Sequence, residues 1–126
     1  MLPSYSIEVR ESENRGLGVF ARRDISEGEL IEEVPVLVVP ENTFYSPQGT
    51  SPLSDYVFVW DDGLLALPLG FGALYNHSYS PNAYYEDTDD ETKCYVALRD
   101  IEQGEEITIN YNGEPDDDSP VGFDVV

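Results

Sequence analysis

Residues 70–82, GFGALYNHSYSPN, constrain this chain more than any other stretch. Pro81 forbids a helix interior, because it lacks the N–H and its ring crowds the preceding turn; Gly70 and Gly72 weaken a helix start. Nor does the run alternate as a strand does. An irregular segment that gathers Asn76, the only histidine (His77) and Asn82 among aromatic residues builds either a ligand site or a tight backbone crossing.

The flanking chain reads as short strands. Residues 5–10 alternate apolar and polar (Tyr5, Ile7, Val9), residues 11–14 are a polar turn, and residues 17–21 form a second strand broken by Gly18. The apolar run 30–39 carries Pro35 inside and ends at Pro40, which marks an edge, a bend or a bulge. Residues 40–52 are loop-like, 53–60 (LSDYVFVW) suit a short helix or a strand equally, 61–63 are a turn and 64–69 are apolar again. Residues 83–86 and 93–99 bracket the acidic DTDDE as a hairpin, with Cys94, Val96 and Leu98 on one face of its second arm. In 106–111 the residues Ile107, Ile109 and Tyr111 fall together. RDISEGELI (23–31) and RDIEQGEEI (99–107) echo each other, as one turn type used twice with Gly28 or Gly104 in the left-handed position. No longer stretch has helical periodicity, so a short-stranded, mainly β domain is expected.

A chain of 126 residues is one domain with one modest core. It has no apolar window long enough for a membrane helix, and MLPSYSIEVRE lacks the pattern of a signal peptide. A single cysteine, Cys94, excludes an internal disulfide and a cysteine-ligated zinc site, and fits a reducing cytoplasm; with one histidine, no metal is expected. The acidic runs 87–91 and 116–118 lack the spacing of a calcium loop and read as solvated turns.

Acids outnumber bases 26 to 6, for a net charge of −20. Such a surface repels nucleic acid and anionic membranes and attracts basic partners. Because the acids are spread along the whole chain, halophilic adaptation to a salty cytoplasm is the favoured explanation, ahead of a patch that recruits a lysine-rich substrate.

Three stretches carry a family resemblance, in order. NHSYSPN resembles the N-H-S/C-x-x-P-N segment of SET-domain protein lysine methyltransferases, RGLGVFA (15–21) resembles their RG-x-GVFA segment, and GEEITINY (104–111) their GEE-L/I-x-x-x-Y segment. Length and order look most like the minimal stand-alone SET proteins of bacteria and large viruses. The resemblance implies a single SET domain over residues 1–126, with a core of about 5–112 and an acidic tail at 113–126. It also implies a β-clip of small curled sheets with few short helices, whose C-terminal segment is threaded beneath a loop, an exception to the usual unthreaded topology. S-adenosylmethionine would be the methyl donor, S-adenosylhomocysteine the product, and a lysine of a basic protein the acceptor. The chain would act as a monomer or homodimer.

Lysine is protonated at neutral pH, with a pKa of about 10.4, and cannot attack until the proton leaves. A narrow, dry, aromatic channel and a nearby sulfonium both favour the neutral amine. The resemblance assigns Tyr111, which ends GEEITINY, as catalytic tyrosine and cofactor contact. It assigns Asn76 and His77 to the cofactor through backbone groups, with side chains that fasten the threaded segment. Gly16, Leu17 and Gly18 would form the cofactor's other wall, glycine letting the main chain approach closely. Tyr56, Phe58 and Tyr85 are the channel aromatics: 55–58 match a D-Y-x-F pattern of the viral members, and Tyr85 follows the Pro-Asn pair. The tail has no cysteine where many SET enzymes place a zinc-binding closing segment, so Phe123 becomes the candidate lid. The alternative to an enzyme is a non-catalytic SET-fold module that binds a basic protein.

If the charge reflects salt adaptation, the melting temperature rises steeply with added salt in the molar range. A melting temperature that stays flat in a salt titration followed by circular dichroism refutes it.

Overall fold

The computed structural model describes residues 6–13, 16–47 and 49–121. In chain order the strands are β1 (Ile7–Ser12), β2 (Gly16–Ala21), β3 (Leu30–Pro40), β4 (Tyr45–Ser46), β5 (Gly49–Thr50), β6 (Phe58–Asp61), β7 (Leu64–Pro68), β8 (Asn76–His77), β9 (Ala83–Asp87), β10 (Thr92–Ala97) and β11 (Glu106–Ile109). Two short 3-10 turns, Glu41–Thr43 and Pro52–Tyr56, are the helical elements among the described residues. The chain is mainly β, as its short alternating runs require. None of its described helices is long and apolar enough to cross a membrane.

One sheet runs β1-β2-β11-β8 and a second runs β6-β7-β3-β10-β9, with β4 and β5 a separate small hairpin. Residues 53–60 hold both of the structures they suited: the 3-10 turn ends at Tyr56 and β6 begins at Phe58. Residues 40–52, read as loop, contain the first 3-10 turn and the β4–β5 hairpin.

Pro35 shows how the second sheet curls. β3 lies in the middle of that sheet, yet it pairs with β10 through residues 30–35 and with β7 through residues 36–40. Proline stands at the hand-over, where a missing N–H does least harm to either ladder. Its carbonyl accepts from Leu69 N at 3.0 Å, and Val36 N donates to Glu91 O at 3.0 Å.

The echoed turns do more than repeat a shape; they interlock. Ile25 and Ile101 exchange two backbone hydrogen bonds of 2.8 Å each. Glu27 N donates to the Asp100 carboxylate at 2.8 Å, and Gln103 N donates to that of Asp24 at 2.9 Å. Within each turn an arginine grips the glutamate that comes after the glycine, Arg23 with Glu29 and Arg99 with Glu105. Gly28 and Gly104 have φ of +82° and +88°, the left-handed conformation that other residues resist. Each segment thus caps the other around an approximate two-fold axis, and the buried Ile25 and Ile101 join the core between the sheets.

The hairpin's second arm has the two faces that its alternation implies. Cys94, Val96 and Leu98 do share a face, but the face turned into the core is that of Lys93, Tyr95 and Ala97. A lysine at a core position is admitted only because a carboxylate and two aromatic rings enclose it.

Removing one cross-turn carboxylate, as in Asp24→Ala or Asp100→Ala, is expected to destabilise the fold by about 1 kcal/mol, and the double variant by about twice that. Urea unfolding measures it; an unchanged midpoint in the double variant contradicts the interlock.

Candidate active site

The segment 70–82 is tied down from its core side first. Tyr75 and Tyr95 stack with ring centroids 4.3 Å apart. The Tyr75 hydroxyl donates to Glu32 Oε1 at 2.8 Å, Phe71 N donates to Glu32 Oε2 at 3.0 Å, and the Tyr95 hydroxyl donates to the Gly72 carbonyl at 2.9 Å. Burial raises the Glu32 carboxyl above its ordinary range, against the pull of these two donors.

The far side of the segment holds β11 and the residues just past its end. β8 pairs with β11 in parallel, Asn76 opposite Thr108 and His77 opposite Ile109. Asn82 works both ways on that strand: its Oδ1 accepts from Thr108 N at 2.8 Å and its Nδ2 donates to Glu106 O at 2.8 Å. His77 Nδ1 accepts from Tyr111 N at 2.9 Å. Asn76 Nδ2 lies 2.7 Å from Glu106 Oε2 and 3.0 Å from the Leu17 carbonyl, so it joins β8 to β11 and β2. A Cβ on Gly18 would fall 2.5 Å from Glu106 Oε2 and 2.9 Å from Asn76 Nδ2, which explains glycine at that position.

Two cavities meet at Tyr111. The larger, about 980 Å³, is lined among others by Tyr56, Phe58, Tyr85, Asp87, Tyr111 and Asn112. The smaller, about 200 Å³, is bounded by Gly16, Leu17, Asp55, Tyr56, Ala73, Leu74, Asn76 and Tyr111. Asp55, Tyr56, Ala73 and Tyr111 belong to both and form the wall between them. The Tyr111 hydroxyl donates to the Tyr75 carbonyl at 2.6 Å, which fixes its ring in that wall.

The channel aromatics pack edge to face. Phe58 lies 5.3 Å from Tyr85 and 6.0 Å from Tyr111, centroid to centroid. Burial, with the charges of Asp87 and Glu114, pushes the Tyr85 phenol up to about 12, so it stays protonated near neutrality.

The structure therefore brings Tyr111, Tyr56, Phe58 and Tyr85 to the larger cavity and Gly16, Leu17, Asn76 and Tyr111 to the smaller one. Gly18 and His77 line neither; Gly18 lies under Asn76 and Glu106, and His77 holds the Tyr111 backbone. Phe123 falls outside the described residues. The described part of the tail is bound to the site: Asn110 Nδ2 donates to Asp117 O at 2.6 Å, Asn112 Nδ2 to Ser119 O at 2.7 Å and the Tyr79 hydroxyl to Ser119 O at 3.0 Å, and Val121 reaches the larger cavity. Sequence reasoning missed Ala73, Asp87 and Asn112, which line the larger cavity, and Lys93, which lies against three of its lining residues. For Lys93 a signal existed, since it shares the strand phase of Tyr95 and is the only lysine in the chain.

The smaller cavity is open along its glycine edge. A Cβ built on Gly16 meets nothing within 4 Å, so open space lies beside that backbone. Among the described residues no group of histidine, cysteine and carboxylate side chains converges as metal ligands.

Comparison with known proteins agrees with this geometry. The SET domain family model matches residues 16–112. A histone-lysine N-methyltransferase of Schizosaccharomyces pombe, H3 lysine-37 specific, is 35% identical over 106 residues, covering 83% of this chain and 72% of that protein. One of Yarrowia lipolytica, H3 lysine-36 specific, is 30% identical over 117 residues, which are 85% of this chain and 15% of that protein. A crystal structure from Plasmodium falciparum, named as a candidate histone methyltransferase, superposes with a TM-score of 0.71 at 32% identity, over 88% of this chain and 95% of that one. With each of the three sequence motifs contributing to the smaller cavity and the family model matching most of its length, this chain belongs to the SET domain family.

Proposed function

We propose that this chain transfers a methyl group from S-adenosylmethionine to a lysine of a basic, histone-like protein. Methyl transfer to lysine is the named activity of its histone-lysine N-methyltransferase relatives. The observation that carries the reading for this chain is the shared wall: Tyr111 borders both the glycine-edged cavity and the aromatic cleft. A donor on one side and a lysine on the other would meet at that phenol.

S-adenosylmethionine, when bound, supplies an electrophilic methyl group on a sulfonium. Gly16, Leu17 and Asn76 would hold it at the smaller cavity, whose wall they form. Phe58, Tyr85 and Tyr56 would sheath the lysine stem and exclude water, which disfavours the ammonium and frees the lone pair. Tyr111 gives its own hydrogen to the Tyr75 carbonyl, so its oxygen acts toward the cleft as an acceptor. An amine N–H bonded there is turned until the lone pair faces the donor, and orientation of this kind supplies a large part of a transfer rate. Asn82 and His77 act at one remove, by holding the strand and backbone that place Tyr111.

The acidic surface supports a basic acceptor. With a net charge of −20, a lysine- and arginine-rich protein is drawn by the whole field.

The test is transfer of a labelled methyl group from S-adenosylmethionine to core histones and other basic proteins, with mass spectrometry to locate it. Label on lysine is expected. Tyr111→Phe should lower kcat by about a hundredfold or more while leaving cofactor affinity, measured by calorimetry, nearly unchanged. Cofactor binding with no transfer to any of the panel would point instead to a binding module; equal turnover in the variant would remove Tyr111 from the chemistry.

A further inference from the structure

The only lysine of the chain stands beside the cleft proposed to receive a lysine. Lys93 projects from β10 with no exposed side-chain surface, and its Nζ lies 2.6 Å from Asp87 Oδ1. The same Nζ is 4.2 Å from the ring centroid of Phe58 and 4.0 Å from that of Tyr85. Phe58, Tyr85 and Asp87 all line the larger cavity. A fixed ammonium therefore sits against two aromatic walls of the cleft and against one of its carboxylates.

Each partner has a consequence for an incoming lysine. An aromatic face attracts a cation, but these two faces already hold one. A cleft-lining carboxylate such as Asp87 would, unpaired, bind the incoming ammonium and keep it protonated, the opposite of what nucleophilic attack needs. The other charged or titratable groups at the cleft are Asp55 and Tyr56 in the 3-10 turn, Tyr85 on β9, and Tyr111 and Glu114 beyond β11. Both Asp55 and Asp87 are exposed at the level of the whole residue, and Asp87 is the one held against the buried ammonium, 2.6 Å from Lys93 Nζ. Across the sheet Lys93 faces Val34 on β3, which offers no charge.

We propose that Lys93 is a positioning and charge-balancing residue of the lysine cleft. It braces Phe58 and Tyr85 and cancels Asp87, so that a substrate lysine enters without a counter-charge and sheds its proton readily. The inference rests on the lysine methyltransferase reading above and adds the residue that tunes the acceptor.

The variants Lys93→Met and Lys93→Met/Asp87→Asn test it. With a lysine peptide, Lys93→Met leaves Asp87 facing the cleft, and the alkaline rise of the kcat/KM–pH profile should move up by about one unit, roughly a tenfold loss near neutral pH. Adding Asp87→Asn should return the profile toward that of the parent. A role in packing alone predicts no such rescue, since the second change restores charge balance and not volume; an unmoved profile in Lys93→Met, or no rescue, overturns the proposal. A readout independent of turnover comes from lysine labelled with carbon-13 at Cε, which yields one resonance from this chain. Titrating the parent protein with n-butylammonium, a stand-in for the substrate side chain, should shift that resonance saturably. A resonance indifferent to it refutes the inference even if the protein proves to be active, and a saturable shift in a protein that transfers no methyl group separates failure of the functional reading from failure of this one.

Discussion

A handful of buried amide and imidazole groups replaces the long strand ladders that hold larger β proteins together. β11 has four residues and β8 two, too short for their ladder alone to fix a geometry. The strength comes from Asn82, whose one side chain satisfies the Thr108 N–H and the Glu106 carbonyl, and from Asn76 and His77, which reach β2 and the Tyr111 backbone. Such side chains are costly to bury unless every bond is made, so a fold built on them tolerates one arrangement and few neighbours of it. Tyr111 inherits that definition. Its backbone is held by His77 and its hydroxyl by Tyr75, two residues of the same segment.

Most of this was legible in the sequence because it was written in residues with narrow uses. Pro81 and the two glycines excluded a regular helix over 70–82, and the clamp, with the two-residue β8 inside it, occupies that stretch. Gly28 and Gly104 marked matched turns, since a left-handed backbone leaves few other choices. What stayed hidden depended on contacts between distant residues. Nothing local reveals that RDISEGELI and RDIEQGEEI bind each other, because the two carboxylates of Asp24 and Asp100 act across more than seventy residues. Nor does a local pattern show that a Cβ at Gly18 would meet Asn76 and Glu106, neighbours from distant segments.

Which face of β10 turns inward stayed hidden for a related reason. Alternation shows that two faces exist, and hydrophobicity normally selects the buried one. Cys94, Val96 and Leu98 are the more apolar set by composition, yet Lys93, Tyr95 and Ala97 are inside. Tyr95 decides it: a large ring that stacks on Tyr75 and bonds the Gly72 carbonyl outweighs the gain from burying the smaller apolar set, and its strand neighbour Lys93 is carried inward with it. A buried ammonium is then stable only with a counter-charge and aromatic faces at hand, and β9 and β6 supply both.

That placement bears on how charge is distributed over the whole chain. Among the described residues the exposed bases are arginines: Arg23 and Arg99 are engaged in the interlocked turns, and Arg10 lies 4.1 Å over the Phe20 ring. Guanidinium groups suit these fork-shaped and stacked contacts better than ammonium groups do. The single ammonium is withdrawn from solvent altogether. A protein that recognises lysine and is acidic everywhere else would bind its own exposed lysines first, at the high effective concentration that one chain or a close pair of chains imposes. With its one lysine locked in β10 behind the cleft wall, this sequence presents no such competitor.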